Sequence, residues 1–202
     1  LNIINGYGPT ENTTFSCVLN INKDHISNKD SVPIGTPLEN RRAYILDANL
    51  IPLPIGAIGE LYVGGLGLAR GYLNQPELTL NKFISNPFQT AEEKELGKNQ
   101  RLYKTGDMVR WLEDGNIEYI GRNDFQVKIR GYRIELKEIE IVLEQHGDVA
   151  QAVVIAKMDS VTANSKLIAY IVSGEFTPSI TELKQFISEK LPEYMSPTYF
   201  IF

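Results

Sequence analysis

Between Pro33 and Arg122 apolar residues alternate with polar ones in short runs set off by glycine and proline, whereas past Arg130 they recur at helical spacing. That change of period confines the chain to a strand-rich part followed by a mixed one. RAYILD (42–47) and ELYVGG (60–65) read as strands, punctuated by the prolines and glycines of LIPLPIGAIG (50–59). VRWL and IEYI flank Asp114-Gly115, a strong hairpin signal because a tight reversal needs residues that tolerate positive φ. PELTLNKFISNPF (76–88) predicts a short helix, and the charged, glycine-containing AEEKELGKNQ (91–100) an exposed loop.

In the second part LKEIEIVLEQHGD (136–148) puts Leu136, Ile139 and Leu143 on one helical face, with Gly147 as a stop. VAQAVVIAKM (149–158) and KLIAYIVSG (166–174) follow as two strands. Ser179 and Glu182 then form a capping-box pattern for a second helix with Ile180, Leu183, Phe186 and Ile187 on its apolar face and Pro192 beyond its end. Helix, strand, strand, helix make a compact unit of roughly 75 residues, a size that folds. The fold class is α+β, with a boundary near Arg122 to Asp124 that separates residues 1–123 from residues 124–202.

A formal charge of −5 and a pI near 5.2, with no basic run, point away from nucleic acid. No apolar run approaches the ~20 residues that cross a bilayer, which points away from a membrane. Cys17 is the only cysteine and no leader is visible, so a cytoplasmic setting is expected. The chain does not begin with Met and stops on the apolar YFIF, so both ends read as cut from something longer. Ser-His-Asp, His-x-x-x-His and Cys-x-x-Cys arrangements are all missing, which disfavours nucleophilic catalysis and zinc; His25 and His146 read as isolated surface residues.

Four segments could carry chemistry. NGYGPTENTTFS (5–16) is either a surface loop or a pre-shaped phosphate and metal site, with Gly8 allowing close approach, Pro9 stiffening the turn, and Thr10 and Glu11 offering oxygen ligands from an exposed loop. GELYVGGLGLARGYL (59–73) has five glycines but not the Lys-Ser/Thr of a P-loop, so a packed crossing is favoured over a phosphate cradle. In YKTGDMV (103–109) Asp107 follows a glycine and is either a turn aspartate or an acceptor for both hydroxyls of a ribose. In GRNDFQVKIRGYRIELKEIE (121–140) Arg122, Lys128, Arg130 and Arg133 are either a solvated face or a basic surface for an anion, and Gly131 separates a strand from the helix.

In order and spacing these segments resemble the adenylate-forming, AMP-binding superfamily, most closely the adenylation domains of nonribosomal peptide synthetases. N-x-Y-G-P-T-E matches Asn5 to Glu11, G-E-L-x-x-x-G-x-G-x-A-R-G-Y matches Gly59 to Tyr72 with Gly65 in a free position, and Y-[RK]-T-G-D matches Tyr103 to Asp107. G-R-x-D-x-Q-V-K-I-R-G-x-R-I-E-L matches Gly121 to Leu136, and L-P-x-Y-M-x-P matches Leu191 to Pro197. Lys137 stands where the family usually has Gly, and Ser196 where it has Ile or Val; neither touches an expected function. The resemblance implies the β-rich end of a large N-terminal adenylation subdomain followed by a small, mobile α+β C-terminal subdomain. The family's S-G-T-T-G-x-P-K-G phosphate loop would lie upstream of Leu1 and its catalytic lysine beyond Phe202, so this piece alone is expected to be inactive.

The resemblance further implies that Thr10 contacts the α-phosphate of ATP, Glu11 holds Mg²⁺, Tyr7 stacks near the adenine, Asp107 grips the ribose, Arg122 supports the nucleotide, and Asp124 is the hinge. The implied reaction turns an amino acid and ATP into aminoacyl-AMP and pyrophosphate, then passes the aminoacyl group to the phosphopantetheine thiol of a peptidyl carrier protein among neighbouring synthetase modules. Gly6, Thr14 and Phe15 match three walls of the amino-acid pocket, and their widths suit a small branched aliphatic side chain, valine first and isoleucine next. Two rival readings stay open: an acyl- or aryl-CoA synthetase or D-alanine–carrier ligase of the same superfamily, and a non-catalytic nucleotide-binding or carrier-docking piece.

Overall fold

The computed structural model describes residues 2–22, 31–124, 126–129, 131–158 and 165–202, and of Lys128 and Met158 the backbone. The chain divides into two compact units, Leu1–Asn123 and Asp124–Phe202.

In the first unit β1 (Ile3–Tyr7) pairs antiparallel with β2 (Cys17–Ile21), which carries the short β3 (Thr36–Pro37) on its other edge. A five-stranded antiparallel sheet follows, built from β4 (Arg41–Leu46), β5 (Gly59–Gly65), β6 (Phe83–Ser85), β7 (Arg101–Trp111) and β8 (Ile117–Arg122). The eleven-residue β7 organises it: one edge pairs with β5, while the other takes β6 along its first half and β8 along its second. The β7–β8 reversal runs through Asp114-Gly115, where Gly115 has φ +81° and the Leu112 amide donates to the Asn116 carbonyl at 2.8 Å. Leu61, Val63, Phe83, Tyr103, Val109 and Ile117 are buried together against these strands.

Two sequence expectations need correcting here. The helix of segment 76–88 is α1, Pro76–Lys82; Phe83 then opens β6 and is buried, because its ring is needed in the core beside Tyr103. The expected exposed loop holds α2, Ala91–Glu95. Thr90 Oγ1 accepts from the Glu93 amide at 3.1 Å and the Glu93 carboxylate accepts from the Thr90 amide at 3.0 Å, a complete capping box legible as T-x-x-E.

The second unit begins with an antiparallel pair, β9 (Gln126–Ile129) and β10 (Tyr132–Glu135), so YRIE is a returning strand where the sequence reading had only a break before the helix. Helix α3 spans Leu136–Glu144 and α4 spans Ile180–Ser188. They cover a sheet of β11 (Val149–Met158), β12 (Ser165–Ser173) and β13 (Tyr199–Ile201), in which β12 and β13 run parallel. The final strand had no counterpart in the sequence reading. Ser179 Oγ caps α4 through the Glu182 amide at 3.2 Å. His146 is no ordinary surface residue, since its ring packs edge-on against Phe186 and Nε2 lies 3.7 Å from a Glu182 carboxylate oxygen. His25 lies outside the described residues.

Helix α3 buries Ile139 completely and leaves Ile141 about half exposed, although both are isoleucines in one helix. Ile139→Ala should therefore destabilise this unit by about 2–5 kcal/mol through lost burial and a residual cavity. Ile141→Ala should change it by ~0.5 kcal/mol or less. Hydrogen exchange of the α3 amides against denaturant concentration reads the difference.

Candidate functional site

The site is built on an irregularity in β7. Glu60 pairs with Met108 and Tyr62 with Lys104, so one residue of β5 faces three of β7: Thr105, Gly106 and Asp107. Gly106 takes φ +78°, which a β-bulge can ask of glycine but not readily of other residues. Side chains replace the interrupted ladder: the Glu60 carboxylate accepts from the Gly106 amide at 3.0 Å, and Thr105 Oγ1 donates to the Leu61 carbonyl at 2.7 Å while accepting from the Asp107 amide at 3.0 Å. Asp107 is thus not a turn aspartate. It stands inside a strand, aimed by a bulge.

Asp107 pairs in register with Arg122 on β8. Arg122 Nη1 donates to Asp107 Oδ1 at 2.6 Å, and Nη2 donates to the Thr105 carbonyl at 2.9 Å. The hydroxyl of Tyr7, at the end of β1, donates to Asp107 Oδ2. Asp107 is 7% exposed, so this is a buried charge with its partners around it. Burial first, and the neighbouring Asp107 charge second, hold the Tyr7 proton well above the usual phenol range. The Tyr7 hydroxyl is committed to Asp107, and both Asp107 oxygens accept hydrogen bonds.

The segment after β1 folds back on itself. A Cβ at Gly8 would lie 2.4 Å from the Thr14 carbonyl oxygen, so only glycine permits the approach, and the Ser16 amide donates to the Tyr7 carbonyl at 2.7 Å. Thr10–Asn12 form one 3₁₀ turn. Thr13 and Thr14 both have positive φ, at 50° and 62°, an uncommon state for β-branched residues. Asn12 is fully buried, with Nδ2 donating to Ser16 Oγ at 2.8 Å.

Thr10 is exposed. Glu11 is not on an exposed loop as expected: it is 7% exposed, with Oε1 accepting from the Tyr72 hydroxyl at 2.6 Å. The 3₁₀ turn tucks it inward, and a buried carboxylate needs such a donor. Phe15 lays its ring over Gly6, where a Cβ would be 2.7 Å from the ring edge, so the structure brings two of the three expected pocket residues together and sets Thr14 beside them.

The glycine-rich segment is a packed crossing. A Cβ at Gly65 would meet the Asn40 carbonyl at 2.2 Å, and one at Gly71 the Thr79 side chain at 2.4 Å. Arg122 is spent on Asp107 and is not part of a solvated basic surface; Arg133 sits 3.8 Å from Glu135, while Arg130 and the side chain of Lys128 lie outside the described residues. Sequence reasoning missed Glu60, Thr105 and Tyr72, whose roles depend on partners distant in the chain. Among the described residues no group of three or more His, Cys, Asp or Glu side chains is arranged to hold a metal, so a hard cation here would rest on single carboxylates and ligand oxygens.

A model of the AMP-binding enzyme family matches residues 1–73, and a model of the AMP-binding enzyme C-terminal domain matches residues 138–202. Tyrocidine synthase 3 of Brevibacillus parabrevis is 51% identical over all of this chain, and bacitracin synthase 1 of Bacillus licheniformis is 48% identical over 99% of it. The chain spans 3% and 4% of those relatives. An artificially fused adenylation–PCP di-domain NRPS from Klebsiella oxytoca superposes with a TM-score of 0.78 at 32% identity, covering 98% of this chain and 35% of that one.

The Tyr7 proton gives the site a signature in alkali. Unfolded, Tyr7 ionises near its ordinary value of 10; folded, it keeps its proton to higher pH. Above pH ~10 the unfolded chain therefore holds fewer protons, and stability that is fully present below that pH falls as pH rises. Tyr7→Phe should flatten this fall. At neutral pH it should cost about 1–3 kcal/mol by removing one donor from buried Asp107. Urea unfolding at neutral and at alkaline pH measures both.

Proposed function

The chain belongs to the AMP-binding enzyme family, and from that premise we propose that it forms part of an adenylation domain that activates an amino acid with ATP. The products are aminoacyl-AMP and pyrophosphate, and the aminoacyl group then passes to the phosphopantetheine thiol of a carrier protein working with neighbouring modules. The observation that carries the reading is the buried Asp107 carboxylate, fixed by Arg122 and Tyr7 at the start of the loop that bears Thr10 and Glu11. Similarity to peptide synthetases, and to a fused adenylation–PCP di-domain, supports the carrier as partner.

In this reading Asp107 accepts the ribose hydroxyls, with Arg122 orienting its carboxylate. Tyr7 holds Asp107 from the other side and places its ring near the base, and the exposed Thr10 hydroxyl faces the α-phosphate. Glu11 suits magnesium, since its hard oxygen is held in place and this ion is bound by one or two carboxylates together with substrate phosphates. When bound, the ion neutralises charge on the phosphate oxygens. The protein needs no nucleophile of its own: the substrate carboxylate attacks phosphorus, and these residues contribute positioning and charge complementarity.

The amino acid is valine or a similar branched aliphatic one. Phe15 lays an apolar ring across Gly6, in the space that a side chain there would take, and Thr14 stands next to it. Asp124 opens the second unit, with Oδ1 accepting from the Gln126 amide at 3.2 Å, which suits a hinge between the half-reactions. A cytoplasmic setting belongs to the same proposal; Cys17 is buried and free.

Pyrophosphate exchange in the full-length parent tests the reading. Valine should outrank phenylalanine and aspartate, and Asp107→Asn should raise the KM for ATP roughly 10-fold, the loss of one charge-assisted bond, while leaving the KM for valine in place. An unchanged KM for ATP in a folded variant contradicts the role of Asp107, and a preference for an aromatic or charged amino acid contradicts the pocket. Asp124→Pro fixes φ where a hinge must change it, so exchange should persist while loading of the carrier thiol fails; equal loss of both argues against this hinge.

A further inference from the structure

The glycine-rich crossing and the acidic loop are joined by more than packing. The Ala69 amide donates to the Glu11 carbonyl at 2.8 Å, Thr13 Oγ1 donates to the Gly67 carbonyl at 2.7 Å, and the Tyr72 hydroxyl donates to Glu11 Oε1 at 2.6 Å. Residues 67–72 therefore grip Glu11 by both its main chain and its side chain.

Tyr72 is itself held firmly. Its amide donates to Thr79 Oγ1 at 2.9 Å, and its ring stands edge-on to Phe83 with centroids 5.6 Å apart. Its hydroxyl lies 3.3 Å from that of Tyr103, a fully buried side chain. Tyr72 has one hydroxyl proton and gives it to Glu11, so Tyr103 can only be the donor in that second contact.

We infer that Tyr72 is a positioning residue for the reaction, and that the 67–72 segment is a clasp presetting the Glu11 carboxylate toward a divalent cation on the nucleotide phosphates. The inference rests on the reading of Glu11 as the magnesium-facing carboxylate. A carboxylate on a surface loop samples several rotamers and loses that freedom on binding; one already hydrogen-bonded to a rigid phenol has lost it on folding. Partners that orient a metal ligand in this way typically change metal affinity 10- to 100-fold when removed.

The test uses Tyr72→Phe and Glu11→Gln in the full-length parent. Tyr72→Phe should raise the magnesium concentration for half-maximal pyrophosphate exchange about 10-fold, leave the KM for the amino acid unchanged, and recover its rate at high magnesium. Electron paramagnetic resonance of Mn²⁺ titrated into the enzyme–ATP complex should show weaker binding by a similar factor, with no turnover involved. If Glu11→Gln shifts the magnesium requirement and Tyr72→Phe does not, the clasp is overturned while the reading of Glu11 stands. If high magnesium fails to restore Tyr72→Phe, or its amino-acid KM moves as much as its magnesium requirement, Tyr72 is a structural residue and the inference fails. If Glu11→Gln shifts nothing, the reading of Glu11 falls and takes the inference with it.

Discussion

A carboxylate buried inside a sheet is tolerated only when its charge is met, and the first unit is organised around meeting that of Asp107. Leaving such a charge unpaired costs about 3–5 kcal/mol, comparable to much of a domain's net stability. Arg122 and Tyr7 reach it from β8 and β1, strands that contribute nothing to each other's ladders. The Tyr7–Asp107 hydrogen bond thereby ties the small β1–β2–β3 sheet to the five-stranded one, while the Arg122 ion pair closes the β7–β8 edge. The bulge at Thr105–Asp107 is the local cost of the arrangement, offset by Glu60 and Thr105 taking over the bonds that the ladder gives up.

The same logic extends to Glu11. A second buried carboxylate needs a second donor, and Tyr72 supplies it from the end of the glycine-rich segment. Those glycines are spent on close approach to neighbouring strands and loops, and that approach is what brings the Ala69 amide and the Tyr72 hydroxyl to the acidic loop. Packing and site preparation are one feature of the chain.

Local pattern was enough for the Asp-Gly hairpin, for the buried face of α3, and for the Ser179 cap of α4, because each depends on residues within a few positions. It left Asp107 open between a turn and a site residue, because a glycine inside a strand looks like a turn until the partner strand shows three residues facing one. Phe83 failed for a related reason: nothing nearby signals that a sheet edge and Tyr103 will claim it. Tyr7 and Asp107 are 100 residues apart and Glu11 and Tyr72 are 61 apart, so no window of sequence contains either pair. Matching motifs supplied the candidate residues; the chain's topology supplied their partners, including the burial of Glu11 that motif matching left out.

In the proposed reading one short loop carries both the cation-facing carboxylate and the wall of the amino-acid pocket. The Glu11 half is held from outside, by the clasp of residues 67–72. The Thr14–Phe15 half is held mostly from within: Asn12 Nδ2 reaches Ser16 Oγ at 2.8 Å, and the Phe15 amide donates to the Thr13 carbonyl at 2.9 Å. Thr13 and Thr14 sit at positive φ, a strain of order 1–3 kcal/mol each that these bonds must offset. Directly after these two residues the Phe15 ring lies across Gly6. An apolar wall discriminates between substrates differing by one methylene by only about 1–3 kcal/mol, so a wall that drifts loses much of its selectivity. Because the wall's bonds run back to Asn12 and Thr13, and Thr13 is held by the Gly67 carbonyl, the wall and the carboxylate share an anchor in the clasp.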